Sequence, residues 1–164
     1  MEKTCTKNIR LATLADMDGF AQKLAQSMKT GDILTLQGQL GSGKTTFAKF
    51  FMGALGLRSQ EVPSPTFTLV QTYPFSEFMV WHFDLYRLKD PEEVYELGIE
   101  EAFAEGVSLI EWPERLEGML PREHLQIEII IPEGGSMEEV RNVVLTGYQG
   151  WCQRLEKLFN NKEI

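Results

Sequence analysis

The chain has 164 residues, 24 acidic against 16 basic side chains, a formal net charge of −8 and a hydrophobic fraction of 43%. That length suits one domain spanning 1–164, and an acidic chain with no run of basic residues is not built to coat nucleic acid nonspecifically. No stretch approaches the ~20 apolar residues of a bilayer span, and the polar opening Met1-Glu2-Lys3-Thr4-Cys5-Thr6 has no apolar signal segment behind it, so the expected compartment is the cytoplasm.

Residues 5–11 read as a first strand. Its Cys5 and the distant Cys152 fit no metal or redox spacing, and both are expected to be free thiols. Thr13 and Asp16 form a start resembling a capping box, followed by Leu14, Met17, Phe20, Leu24 and Met28 at helical spacing. Gly31 marks the expected stop of that helix. The apolar run Ile33-Leu34-Thr35-Leu36 predicts a strand. Directly after it, Gly38 to Thr45 read G-Q-L-G-S-G-K-T, the full phosphate-loop pattern G-x-x-x-x-G-K-[ST]. Thr46 to Leu55 are helix-compatible, with Phe47, Phe50, Phe51, Ala54 and Leu55 on one side.

The physical case for nucleotide binding is local. Gly38, Gly41 and Gly43 let the chain curl so that N–H groups around Ser42 converge on a phosphate, and the following helix N-terminus adds a favourable field. Lys44 would neutralise the β- and γ-phosphates, and Thr45 would offer its hydroxyl to Mg²⁺. No Asn-Lys-x-Asp sequence of the guanine-specific type is present, which favours ATP.

Pro63 and Pro65 predict an extended segment around Thr66. Such a segment senses the γ-phosphate in switch proteins, and a plain structural loop is the competing reading. Thr66–Tyr73 and Phe78–Phe83 are rich in β-branched and aromatic residues and read as a hairpin. Pro91 opens a short helix with an acidic first turn, Gly98 ends or kinks it, and Ile99–Ala104 continues as another. Gly106–Glu111 reads as a second central strand, and Pro113–Glu117 as a short helix. Leu125–Ile131 and Val140–Leu145, separated by the Gly134-Gly135 turn, are expected to pair antiparallel. Trp151, Leu155, Leu158 and Phe159 line a closing helix. Strands alternating with helices predict a three-layer α/β domain.

Hydrolysis needs acids that hold the metal and place water. Two acids end apolar runs where open α/β sheets gather ligands: Asp84 after Val80-Trp81-His82-Phe83, and Glu111 after Val107-Ser108-Leu109-Ile110. Each alone also reads as a solvent-facing strand terminator. Trp112 would stack on a base or close the site, or pack in the core. His82 reads as a packing or hydrogen-bonding residue before a catalytic one. Arg87 reads as a phosphate contact or a salt bridge. The seven arginines form no lid cluster, which weighs against a small-molecule or nucleoside kinase without removing it. A nucleotide-gated interaction protein without catalysis is the third reading.

Five stretches occur in order: G-Q-L-G-S-G-K-T-T (Gly38–Thr46), P-S-P-T-F-T-L-V (Pro63–Val70), H-F-D-L-Y-R-L (His82–Leu88), E-L-G-I-E (Glu96–Glu100) and L-I-E-W-P-E (Leu109–Glu114). Over about residues 10–150 the chain resembles the bacterial TsaE family, formerly YjeE. The resemblance implies a P-loop ATPase fold with a mostly parallel central sheet and antiparallel additions. It implies a cytoplasmic, Mg²⁺-dependent ATPase acting with the TsaB–TsaD pair, which places threonylcarbamoyl on N6 of adenosine 37 in tRNA. Contact with tRNA is then indirect or within that complex, and no membrane is involved. Carried over residue by residue, Lys44 holds phosphates, Thr45 meets Mg²⁺, Asp84 matches the acid implicated in catalysis and Glu111 the acid beside the metal. Thr46 and Trp112 fall on motif positions near the nucleotide, and Thr66 in the switch-like segment.

Overall fold

Where an apolar run is buried on both faces, a strand belongs in the middle of a sheet, and two runs here meet that condition. Strands β2 (Ile33–Gly38) and β5 (Val107–Glu111) are central, and all five residues of β5 are buried. The computed structural model describes residues 3–57, 65, 68–133 and 139–159. Around those two strands lie β1 (Thr4–Leu11), β3 (Val70–Pro74), β4 (Met79–Asp84), β6 (Leu125–Ile130) and β7 (Arg141–Tyr148), in the order β1-β7-β6-β2-β5-β4-β3. The centre is parallel: β2 pairs in parallel with β5 and β6, and β4 with β5. The additions are antiparallel, β3 on β4 at one edge and β1–β7–β6 at the other. Both the early hairpin and the late antiparallel pair are present, but the first hairpin strand starts at Val70 rather than Thr66, because Thr68 and Leu69 form a turn with Leu69 at φ 69°. Thr66 and the Gly134-Gly135 turn lie outside the described residues.

Helices cover both faces. On one, α1 (Leu14–Gln26), α2 (Lys44–Ala54) and α4 (Trp151–Leu158) pack Phe20, Leu24, Phe47, Phe51 and Trp151 onto Leu34, Leu36, Leu109 and Ile127. Phe20 links two neighbours, its ring 5.7 Å from Phe47 and 5.6 Å from Phe159. On the other face, α3 (Ile99–Glu105) and the 3₁₀ segments Pro91–Leu97 and Pro113–Met119 cover Ile33, Phe83 and Ile110. Two cores, one per face, make three layers. No helix among the described residues is long and apolar enough to cross a membrane.

Two local expectations change. Helix α1 ends at Gln26, well before Gly31, because the Ser27 hydroxyl donates to the Leu24 carbonyl at 2.8 Å and competes with the helical ladder. Gly31, at φ 95°, instead turns the chain into β2 and donates its N–H to the Gly106 carbonyl at 2.7 Å. The second change concerns the cysteines. They are paired as a disulfide, Cys5–Cys152, where free thiols were expected. A sequence separation of 147 concealed this. The β1–β7 ladder sets Cys5 opposite Gly147, and α4 then brings Cys152 back over that point.

The end of the chain is held by charge as well as packing. Arg154 donates from both terminal nitrogens to the Asp32 carboxylate, at 2.8 and 2.7 Å, and its guanidinium lies 3.7 Å from the Trp151 ring centre. Close by in the sheet's margin, His124 is nearly buried, donates from Nδ1 to the Pro121 carbonyl at 2.8 Å and packs its ring 4.5 Å from Tyr148. Burial pushes its pKa below the ordinary 6.5, against the opposing pull of its backbone hydrogen bonds. The neutral ring is thus the folded form, so the unfolded chain takes up this proton first. Its contribution to stability is complete above pH 6.5 and is lost as pH falls through the folded value. His124→Gln is expected to flatten the acid side of a melting-temperature profile below pH 6.5. An unchanged acid slope would show that His124 does not set it.

Candidate functional site

The loop between β2 and α2 is shaped by steric demands that only glycine meets. A Cβ built on Gly38 (φ 154°) would stand 2.5 Å from Ser42 Oγ and 2.7 Å from the Ile129 carbonyl oxygen. Gly43, at φ 117°, is the N-cap of α2 and, having no side chain, gives that helix no side-chain cap. The first N–H groups of an eleven-residue helix therefore open onto the loop, together with the Lys44 side chain at its first position. Beneath, Arg141 at the start of β7 donates from Nε to the Ser42 carbonyl at 2.8 Å and braces the loop from the far side of the sheet order.

The two acids arrive from the neighbouring strands. Register pairs Leu36 of β2 with Glu111 of β5, and Glu111 with Asp84 of β4. The carboxylates thus stand side by side at the carboxyl ends of adjacent parallel strands, next to the strand that feeds the loop. They are 7% and 8% exposed, so neither is a solvent-facing terminator. Asp84 Oδ1 accepts the Tyr86 N–H at 3.1 Å, which turns the chain out of β4. Glu111 Oε2 is 2.9 Å from His82 Nε2. Hydrogen bonding is thus the part of the His82 reading that the structure bears out.

One cavity of about 590 Å³ joins these parts. Gly38, Gly41, Gly43, Lys44, Thr45 and Thr46 form one wall, and Asp84, Glu111 and Trp112 the other. Trp112 is half-buried: it packs against the second core, as its core reading expects, and it also faces the cavity. Its backbone sits at φ 60°, ψ 52°, a left-handed conformation costing roughly 1–2 kcal/mol in a non-glycine residue. Its ring lies 4.8 Å from that of Tyr86 and 5.3 Å from Lys44 Nζ. Ser42 is fully buried and faces an adjoining groove of about 240 Å³, which shares Gly41, Gly43 and Thr46 with the main cavity. Arg87 is exposed and does not line the cavity; Thr66 is outside the described residues.

Sequence reasoning missed Tyr86, Gln39 and Leu40 on the cavity wall and Arg141 beneath the loop. Tyr86 stood inside a quoted motif, two residues past Asp84, in the turn that leaves β4. Arg141 left no local signal.

Chemically, the loop and helix start suit an anion, and the facing groups suit a hard cation. Thr45, Asp84 and Glu111 offer only oxygen donors, the set Mg²⁺ prefers. Among the described residues, no cluster of three or more His, Cys, Asp or Glu forms a self-sufficient metal cage. Mg²⁺ carried with phosphate oxygens and water needs only one or two carboxylates from the protein.

A sequence model of the family described as "Threonylcarbamoyl adenosine biosynthesis protein TsaE" matches residues 11–139. A Rickettsia felis protein named tRNA threonylcarbamoyladenosine biosynthesis protein TsaE is 45% identical over 109 residues, which is 66% of this chain and 64% of that protein. The chain thus spans slightly less than two thirds of that relative's length. A Bacillus subtilis protein of the same name is 40% identical over 140 residues, 84% of this chain and 85% of its own. The crystal structure of Bacillus subtilis YdiB superimposes with a TM-score of 0.76 at 30% identity, covering 98% of both chains.

Proposed function

The chain belongs to the TsaE family, and from that membership we propose that it is a P-loop, Mg²⁺-dependent ATPase supporting threonylcarbamoylation of tRNA with the TsaB–TsaD pair. The observation that carries the ATPase reading is the pair of buried acids, Asp84 and Glu111, facing the Gly38–Thr45 loop across one cavity. In this reading the loop N–H groups and Lys44 bind the β- and γ-phosphates of ATP. Thr45, Glu111 and Asp84 would hold Mg²⁺, which when bound supplies neutralising charge to those phosphates. Asp84 orients the attacking water and takes up its proton. Thr46 follows the loop toward the α-phosphate, and Trp112 closes the wall beside Lys44. Thr66 keeps the switch-like role suggested by its motif.

Among the described residues, no arginine lines the cavity. An arginine supplied in trans is worth about 10³–10⁵ in turnover in related chemistry. We therefore expect slow turnover by the free chain and faster ATP loss when TsaB–TsaD is added. The test is a multiple-turnover reaction of the chain with ATP, Mg²⁺, TsaB–TsaD, threonylcarbamoyl-adenylate and tRNA. Partner-stimulated ATP loss with repeated rounds of tRNA modification is the expected result. Full ATPase activity of the chain alone, or phosphate appearing on a soluble acceptor, would contradict the reading.

A further inference from the structure

His82 is 2% exposed and lies on β4 two residues before Asp84. Its register partner on β5 is Leu109, so the imidazole sits diagonally behind Glu111 on the same face of the sheet. Nε2 is 2.9 Å from Glu111 Oε2, while Nδ1 is buried with no hydrogen-bond partner among the described residues. This combination selects a tautomer. With the proton on Nε2, the ring donates to the carboxylate and Nδ1 keeps only a bare lone pair. With the proton on Nδ1, a buried N–H would have no acceptor and Nε2 would set its lone pair against the carboxylate.

We propose that His82 is a positioning residue for the Mg²⁺–nucleotide complex: its Nε2–H fixes Glu111 in one orientation and leaves Oε1 for the ligand. This rests on the reading of Glu111 as an acid on the metal side of the site. Glutamate has several rotatable bonds, and a buried donor behind one oxygen removes the orientations in which neither oxygen faces the loop. Asp84, shorter by one methylene, accepts the Tyr86 N–H at 3.1 Å. Groups that orient a metal-binding residue from behind are typically worth about 10- to 100-fold in metal affinity.

The test is calorimetric titration of ADP into the full chain, first in EDTA and then across a range of Mg²⁺ concentrations. His82→Leu is expected to raise the Mg²⁺ concentration for half-maximal effect by about 10-fold or more and to leave ADP affinity in EDTA as it was. His82→Gln, whose amide N–H reaches toward Oε2, is expected to restore most of the loss. In a Glu111→Gln background, His82→Leu should add nothing further. Should His82→Leu fail to fold, His82→Gln and the shorter His82→Asn carry the comparison, with only Asn raising the requirement. Variants that lower the melting temperature yet keep the wild-type Mg²⁺ requirement would make His82 a packing residue and overturn the proposal. A wild-type chain that binds no nucleotide under either condition overturns the ATPase reading and this one with it.

Discussion

Lys44→Ala is expected to weaken ATP binding between about 10- and 100-fold, with turnover at fixed ATP falling by at least as much. Hydrogen bonds to charged groups are worth ~1.5–3 kcal/mol each, and this ammonium stands in a half-buried cavity where water screens it incompletely. The folded chain gives the side chain little structural work: its ammonium lies 5.3 Å over the Trp112 ring, a contact worth about 0.5–1 kcal/mol at exposed sites. The variant should therefore keep a near-native melting temperature while losing nucleotide, and calorimetric titration with ATP beside a thermal melt separates the two effects. Undiminished affinity in a folded variant would show that the loop does not hold the phosphates through this residue.

That expectation was already written in the sequence, because a phosphate loop is local. Its glycines, lysine and threonine are consecutive, and the strand before and helix after them follow from hydrophobic run length alone. The central strands were legible for the same reason, β5 being an uninterrupted buried run. What the sequence hid depends on register and topology. The disulfide between Cys5 and Cys152 needs β1 to lie on β7. The Arg141 brace needs β7 to start under the loop, and the His82–Glu111 bond needs β4 and β5 in one particular alignment. The early stop of α1 is a subtler case: Ser27 and Gly31 are both plausible terminators, and the nearer one with a hydroxyl wins.

The register also separates the acids by environment, which leads to a split in kinetics. Asp84→Asn is expected to lower turnover by about 10²–10⁴, the usual contribution of a positioned acid or base, while ATP affinity changes far less. Asparagine keeps an oxygen for the Tyr86 N–H, so the turn out of β4 should survive and the cavity wall with it. Removing one of two adjacent buried carboxylates also relieves like-charge repulsion, which offsets the weaker hold on Mg²⁺, and the asparagine oxygen can still face the metal, so nucleotide affinity should change little. Glu111→Gln differs. It removes the charge that His82 orients, so its first effect should be a higher Mg²⁺ requirement, with turnover following at saturating metal. Measuring turnover and metal dependence for both variants and their double mutant distinguishes the two roles, and neighbours this close are expected to be non-additive. Wild-type turnover in Asp84→Asn would remove that acid from the chemistry and leave Glu111 to carry it.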